Sequence, residues 1–363
     1  MNLQMVDLKG QYLKIKSEID KAVIDVIEST RFIKGPVVKE FEESLAIYLD
    51  VKHVIGCANG TDALQVAMMA LDLKPGDEVI VPAFTYVATA EVIALLGLVP
   101  IMVDVNIDDF NIMLEGLEEN LTPKTKAIVP VHLFGQNANM DAILAFAKKQ
   151  NLYIIEDSAQ SIGSSYKGKK SGTIGDIGCT SFFPSKNLGC MGDGGALFTN
   201  NDELAAKIRM VANHGQKKQY HHSKIGVNSR LDAIQAAVLN IKLKYLDEYA
   251  QARRDAADYY DELLKNNTDL TTPYRSLDSD HVFHQYTLKS DQRDRFLERL
   301  KEKNIPHNIY YPIPLYKQEA FQKGNEQLFL PNTEMLCKTV FSLPMHTELT
   351  KLQQEYIVNQ LLS

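Results

Sequence analysis

Seven short apolar runs punctuate the first half of the chain, and they constrain its fold more than any other feature. They are HVIGCAN (53–59), EVIVPAF (78–84), PIMVDV (100–105), AIVPVHL (127–133), LYIIED (152–157), CTSFF (179–183) and GALFT (195–199). A strand with one face in water alternates polar and apolar side chains. Most of these runs do not alternate, so both faces of the sheet they form must be covered. Stretches of helical period lie between several of them, among them TDALQVAMMAL (61–71) and NMDAILAFAKKQ (139–150). Repeated strand–helix units predict an α/β chain with a large, mainly parallel sheet between helices.

Beyond about residue 200 the pattern changes. NDELAAKIRMVANHG predicts a capped helix ending at Gly215. RLDAIQAAVLNIKLKYLDEYAQARRDAADYYDELLK carries no Gly or Pro and predicts one long helix. HQYTLKS as a strand and RDRFLERLKEKN as a helix then suggest a smaller C-terminal α+β domain. For 363 residues two domains are expected, and we set them at 1–245 and 246–363, dividing inside the long helix.

Composition narrows the function. With 45% hydrophobic residues the chain can bury a large core, and a net charge of −7 argues against broad attraction to nucleic acid or anionic lipid. The longest apolar run, 92–103, is broken by Gly97 and Pro100 and is too short to span a membrane. MNLQMVDLKG lacks a signal-peptide pattern, and Cys57, Cys179, Cys190 and Cys337 form no C-x-x-C pair. Both features predict a protein of the reducing cytoplasm. His221–His222 and His281 with His284 lack a carboxylate and third ligand at metal spacing, so no metal is expected.

The chemistry centres on SFFPSKNLGCMGDGG (181–195), where a single Lys186 sits among small residues and glycines. A surface lysine needs no such setting. A lysine that must attack a carbonyl does, because only its uncharged amine is a nucleophile. Asp157 closes the strand LYIIED, where ligands of open α/β sheets collect. Each residue alone has an ordinary reading, as surface lysine and as turn or cap. Together they suit pyridoxal phosphate: the lysine forms the imine and the carboxylate keeps the pyridine nitrogen protonated. NGTDALQ (59–65) follows a strand and opens a helix, so the backbone N–H groups of Gly60 and Thr61 can face a phosphate, with Ser181 and Asn228 as further uncharged donors.

These segments resemble the DegT/DnrJ/EryC1/StrS sugar aminotransferases. NGTDAL, FTYVATAE, VHLFGQ, IIEDSAQ, SFFPSKNLG, GDGGA and GVNSRLDAIQAA occur in that family's order, from FIKGPVVKEFEE (32–43) to SLPMH (342–346). The resemblance implies the aspartate-aminotransferase-like (type I) fold and pyridoxal 5'-phosphate as cofactor. It implies Lys186 as the Schiff-base lysine, Asp157 on the pyridine nitrogen, Gln160 beside the ring hydroxyl and Tyr86 stacked on the ring. Gly60, Thr61 and Ser181 would hold the phosphate, with Asn228 reaching across from the other subunit of a homodimer with shared sites. The retained lysine disfavours the relatives that carry histidine there and dehydrate their substrates.

Within the family, SFFPSKNLGCMGDGGA, HGQKKQYHHSKIGVNSRLD and YPIPLYKQ are most similar to the branch acting on UDP-2-acetamido-2-deoxy-3-oxo-glucuronate for surface polysaccharides. There Ser185, Arg230 and Tyr311 match substrate-contact positions. Thr30, Phe32 and Tyr310 occupy three more, where the branch usually has glycine, tyrosine and histidine. The implied reaction moves an amino group from L-glutamate to the C3 keto group of the nucleotide sugar. Alternatives at this level are a dTDP-3-keto-6-deoxyhexose aminotransferase, another use of the same cofactor, and a pyridoxal-binding regulator without turnover.

Overall fold

The computed structural model describes residues 3–363, and its centre is a seven-stranded sheet. Its strands are β1 (His53–Cys57), β2 (Glu78–Pro82), β3 (Val99–Val103), β4 (Thr125–Ile128) and β5 (Tyr153–Asp157), followed by β8 (Ile177–Ser181) and β9 (Gly195–Thr199). Two short strands, β6 (Ser165–Tyr166) and β7 (Lys169–Lys170), form a hairpin between β5 and β8. The order across the large sheet is β1-β9-β8-β5-β4-β2-β3. Five neighbours from β8 to β3 run parallel, and β9 is antiparallel to both β8 and β1. The sheet is therefore mainly parallel, as expected, with one reversed strand.

The doubly apolar runs have the cause inferred for them. Val79 and Val81 enter one buried cluster and Ile80 enters another, so alternate residues of β2 face opposite helix layers. The same split separates Ile55 from Val54 on β1, and Leu197 from Phe198 on β9. Helix Gly60–Ala70 buries Ala63, Leu64, Val66, Ala67, Met68 and Ala70 against the sheet. Asn59 starts it by accepting the Asp62 N–H at 2.8 Å. Asn139 and Asn201 cap Met140–Gln150 and Asp202–Val211 in the same way.

Four boundaries differ from the sequence reading. The regular strand in AIVPVHL ends at Ile128, and past Pro130, which has no N–H to donate, the run keeps a single parallel bridge from Val131 to Asp157; a turn at Leu133–Gly135 follows, with Phe134 at φ 56°. The helix after Asn201 stops at Val211 instead of Gly215. The polar stretch 214–222 contains a hairpin, β10 (Gln216–Lys218) with β11 (His221–His222). The single long helix is two, Ala233–Leu243 and Leu246–Leu264, parted at Lys244 and Tyr245.

The second of these helices joins Arg293–Glu302, Lys351–Leu362 and the antiparallel pair β12 (Tyr286–Lys289) and β13 (Val340–Leu343) around a separate cluster. Tyr260, Tyr286, Phe283, Phe296 and Phe341 are its largest buried members. All four cysteines are buried and unpaired. Among the described residues, no helix is long and apolar enough to cross a membrane.

Candidate active site

The C-terminal ends of β1, β5 and β8 converge on a cavity of about 830 Å³. Ten residues singled out from the sequence line it: Gly60, Thr61, Tyr86, Asp157, Gln160, Ser181, Ser185, Lys186, Tyr310 and Tyr311. Helix Gly60–Ala70 points its N-terminus into this space, where unpaired N–H groups favour an anion. A side chain at position 60 would put its Cβ 2.7 Å from that of Ser181, so only glycine lets the helix start this close to β8.

Among the described residues, Lys186 is the one lysine lining the cavity. It sits on a tight loop in which its N–H donates to Phe183 O at 2.8 Å and Cys190 N–H donates to Phe182 O at 2.8 Å. The loop closes so tightly that a Cβ at Gly189 would lie 2.3 Å from Pro184 O. This explains the glycine after the lysine. Burial pulls the Lys186 pKa down to about 8, against an opposing pull from the Asp157 charge. About a tenth of the amine is then uncharged at pH 7, against well under a thousandth for an ordinary lysine.

Asp157 ends β5 and is buried, with Oδ2 accepting the Thr89 hydroxyl at 2.9 Å and Oδ1 accepting the Ala159 N–H at 3.1 Å. Burial raises its pKa; those two hydrogen bonds, Lys186 and His132 work the other way. Its neighbour Glu156, fully buried, points to the opposite face of the strand. There it accepts N–H groups of Gly172, Ile174 and Gly175 at 3.1, 2.7 and 2.5 Å, and His132 Nε2 lies 2.9 Å away. His132 Nδ1 accepts the Ala138 N–H at 3.1 Å, so Nε2 carries the proton shared with Glu156. One strand thus carries a carboxylate committed to structure beside one that faces the cavity.

Gln160 spans two elements: its Oε1 accepts the Phe134 N–H at 2.8 Å and its Nε2 donates to the Tyr311 hydroxyl at 3.1 Å. Burial raises the Tyr311 pKa, keeping the phenol protonated. Tyr86 stands 57% exposed at the rim, its ring 6.3 Å from that of Tyr311.

Thr30, Phe32, Asn228 and Arg230 are not in this cavity. They gather elsewhere, because Ala233 N–H donates to Phe32 O at 2.9 Å and Ile33 bridges Asp232. Thr30 ends its helix in the left-handed region at φ 55°, Phe32 is 43% exposed, and Asn228 is exposed beside Asn213. Arg230 is half-buried in a second cavity of about 1150 Å³ that also carries Lys34, Lys39 and Lys217. Among the described residues its guanidinium has no ion-pair partner, Asp232 included.

The sequence reading missed His284, Gln285, Asp62, Asp193 and Thr89. The first four line the cavity, and Thr89 holds Asp157. Thr89 lies within FTYVATAE, in the first turn of helix Ala88–Leu95, where nothing local marks it as a partner of Asp157. His281, weighed with His284 as a metal pair, instead stacks on Phe283 at 3.9 Å and accepts its N–H at 3.0 Å.

The profile of the DegT/DnrJ/EryC1/StrS aminotransferase family matches residues 13–362. The chain belongs to this family. It is 48% identical over 344 residues to UDP-2-acetamido-2-deoxy-3-oxo-D-glucuronate aminotransferase of Pseudomonas aeruginosa, covering 95% of each chain. It is 46% identical over 364 residues to a protein of Geobacillus stearothermophilus named pleiotropic regulatory protein, covering 99% of this chain and 98% of the other. The structure of NtdA from Bacillus subtilis with bound cofactor PMP superposes with a TM-score of 0.90 at 34% identity, covering 96% of this chain and 81% of that one. This DegT/DnrJ/EryC1/StrS protein is accordingly a pyridoxal-phosphate-dependent aminotransferase with the fold of that class.

Proposed function

We propose that this enzyme moves the amino group of L-glutamate to the C3 keto group of UDP-2-acetamido-2-deoxy-3-oxo-glucuronate, as a cytoplasmic homodimer with shared active sites. The observation that carries this reading is the split of the site. Nine of the residues singled out line one cavity with Lys186, while Thr30, Phe32, Asn228 and Arg230 lie outside it, Arg230 with no ion-pair partner among the described residues. A two-fold axis that brings each cluster of four to the other chain's cavity would complete both sites. Exposed apolar side chains at both clusters, Phe32 and Ile33 in one and Tyr86 and Phe183 in the other, support a second copy as their cover. Four unpaired cysteines support the cytoplasmic setting. On the same reading the chain divides near residue 245, between the two helices, into a cofactor-holding part and a smaller C-terminal part.

The residues fit pyridoxal phosphate. Gly60, Thr61 and Ser181 would hold its phosphate together with Asn228 of the partner subunit, and the tight Gly60–Ser181 approach leaves room for an anion and no side chain. Asp157 would hold a proton on the ring nitrogen, Gln160 would lie beside the ring hydroxyl, and Tyr86 would cover the ring face. When bound, the cofactor supplies an electron sink for the carbon that gives up or receives the amino group. Lys186 Nζ would do the chain's part: it would hold the cofactor covalently at rest and, when freed, take a proton from one carbon and return it to another. Its lowered pKa suits both duties.

Arg230 supports the choice of sugar. Its planar pair of donors matches a C6 carboxylate, which a 6-deoxy sugar lacks. Kinetics on 3-keto nucleotide sugars with and without that carboxylate, following 2-oxoglutarate release from glutamate, test this directly. The uronate should be preferred by about 100-fold, and Arg230→Lys should cut that preference roughly tenfold. If the 6-deoxy sugar is used better and Arg230→Lys leaves the preference unchanged, the dTDP-sugar reading replaces this one. Failure to release 2-oxoglutarate with any sugar would instead favour the regulator.

The shared site has its own test. Lys186→Ala and Asn228→Ala homodimers should each be strongly impaired. A verified heterodimer of the two should regain about half of wild-type activity, since one of its two sites has every part intact. Verified heterodimers with no recovery count against sharing.

A further inference from the structure

His284 precedes β12 and lines the cavity with Lys186, 6% exposed. Its Nδ1 is fully buried and has no hydrogen-bond partner. A buried polar atom left unsatisfied is rare and costly, and such atoms are retained where a ligand or reacting group supplies the missing contact. The Lys186 amine, on the same cavity, is likewise without a hydrogen bond among the described residues.

The segment that carries His284 is fixed from three sides. Val282 N–H donates to Gly135 O at 3.0 Å and Gln285 N–H to Phe134 O at 3.4 Å, tying it to the turn after β4. Asn187, next to the lysine, donates through Nδ2 to Val282 O at 3.0 Å. Arg253 comes from behind, and its Nη1 donates to the carbonyls of Phe283 at 3.1 Å, His284 at 3.5 Å and Met345 at 3.1 Å. That guanidinium is 3% exposed and, among the described residues, has no carboxylate partner. Burial first, then the charges of Lys186 and Arg253, holds the His284 pKa far below its ordinary value. The imidazole is therefore neutral, with one lone pair and one N–H.

We propose that His284 is a positioning residue for Lys186: its buried ring nitrogen accepts a hydrogen bond from the amine whenever that amine carries a proton, and so steers the proton that Lys186 hands on. The proposal rests on reading Lys186 as the reacting amine. The other charged or titratable groups around that amine are Asp157 on β5, Asp62 at the start of its helix, Asp193, the phenols of Tyr86, Tyr310 and Tyr311, and Arg253 behind the ring. Of the neutral acceptors among these, the Tyr310 and Tyr311 hydroxyls already accept from Asn308 and Gln160 at 2.8 and 3.1 Å, and Tyr86 stands exposed at the rim.

The test compares His284→Asn, which keeps an acceptor near the Nδ1 position, with His284→Phe, which keeps bulk and removes it. In the full-length protein stripped of cofactor, pH-dependent acylation of Lys186 read by mass spectrometry should give a wild-type midpoint near 8. An acceptor stabilises the charged amine, so the Phe variant should titrate roughly one pH unit lower, with the Asn variant close to wild type. In the holoenzyme the Phe variant should lose about 10- to 100-fold in kcat with little change in KM for the sugar, and Asn should restore most of it. The wild type needs no substitution for a further readout: the 15N signal of the accepting ring nitrogen should inflect as Lys186 titrates, while the ring stays neutral. An unmoved midpoint in the Phe variant, equal impairment of Asn and Phe, or a flat 15N profile overturns the proposal. Cofactor trapped by borohydride on a lysine other than Lys186 overturns instead the reading beneath it.

Discussion

Lys186→Ala should abolish turnover, with a loss of at least about 10⁴-fold, while the protein still folds and binds pyridoxal phosphate without a covalent link. The size of the loss follows from the cavity. Lys186 is its one lysine, so no neighbour can take over both the covalent hold and the proton transfer. Phosphate and ring contacts would remain, because Gly60, Ser181 and Asp157 belong to other elements that do not depend on the lysine side chain. Borohydride reduction followed by peptide mapping should place the cofactor on Lys186 in wild type and nowhere in the variant. An adduct on another lysine would sink the assignment.

Asp157→Asn should cost about 10²- to 10⁴-fold in turnover without lowering the melting temperature. The amide oxygen can still accept the Ala159 N–H while its NH2 donates to the Thr89 hydroxyl, which turns to accept, so the end of β5 keeps its shape, but the amide cannot hold a proton on the ring nitrogen. Burial raises the Asp157 pKa, which means the ionised carboxylate works against the cofactor-free fold at any pH above its folded pKa. Removing that charge therefore leaves the cofactor-free protein as stable as before or slightly more so. Glu156→Gln is the control one residue away. It disrupts a buried carboxylate that accepts three backbone N–H groups and faces His132, and should lower the melting temperature clearly. Paired melting curves and turnover rates on the two variants check the contrast; an Asp157→Asn enzyme with near wild-type rates would remove Asp157 from the chemistry.

The sheet was legible because burial on both faces leaves a mark in composition, seen at Val79, Ile80 and Val81. Strand direction leaves no such mark, so the reversal of β9 could not be read from GALFT. The break at Lys244–Tyr245 was equally hidden, since no Gly or Pro stands there and the second helix resumes at once with Leu246 buried. Nor did any Pro or Gly pair announce the hairpin in 216–222; its loop relies on Tyr220 at φ 62°. At the site, Lys186 and Asp157 stood out through their settings, a glycine-rich loop and a strand end. His284 did not, because its neighbours in sequence say nothing of Lys186, nearly a hundred residues earlier. The same limit applies to Glu156, whose partners are backbone groups of 172–175 brought in by the β6–β7 hairpin.

Strand β5 sets two carboxylates back to back, and this makes its length a fixed quantity. Loss or gain of one residue between Leu152 and Asp157 would rotate the strand's end by half a turn of its pleat. Glu156, with its longer side chain, would swing toward the Lys186 amine, and Asp157 would meet backbone donors spaced for a longer reach. Descendants of this chain can therefore drift freely in the exposed loop around Gly168 but tolerate no insertion or deletion within five consecutive residues.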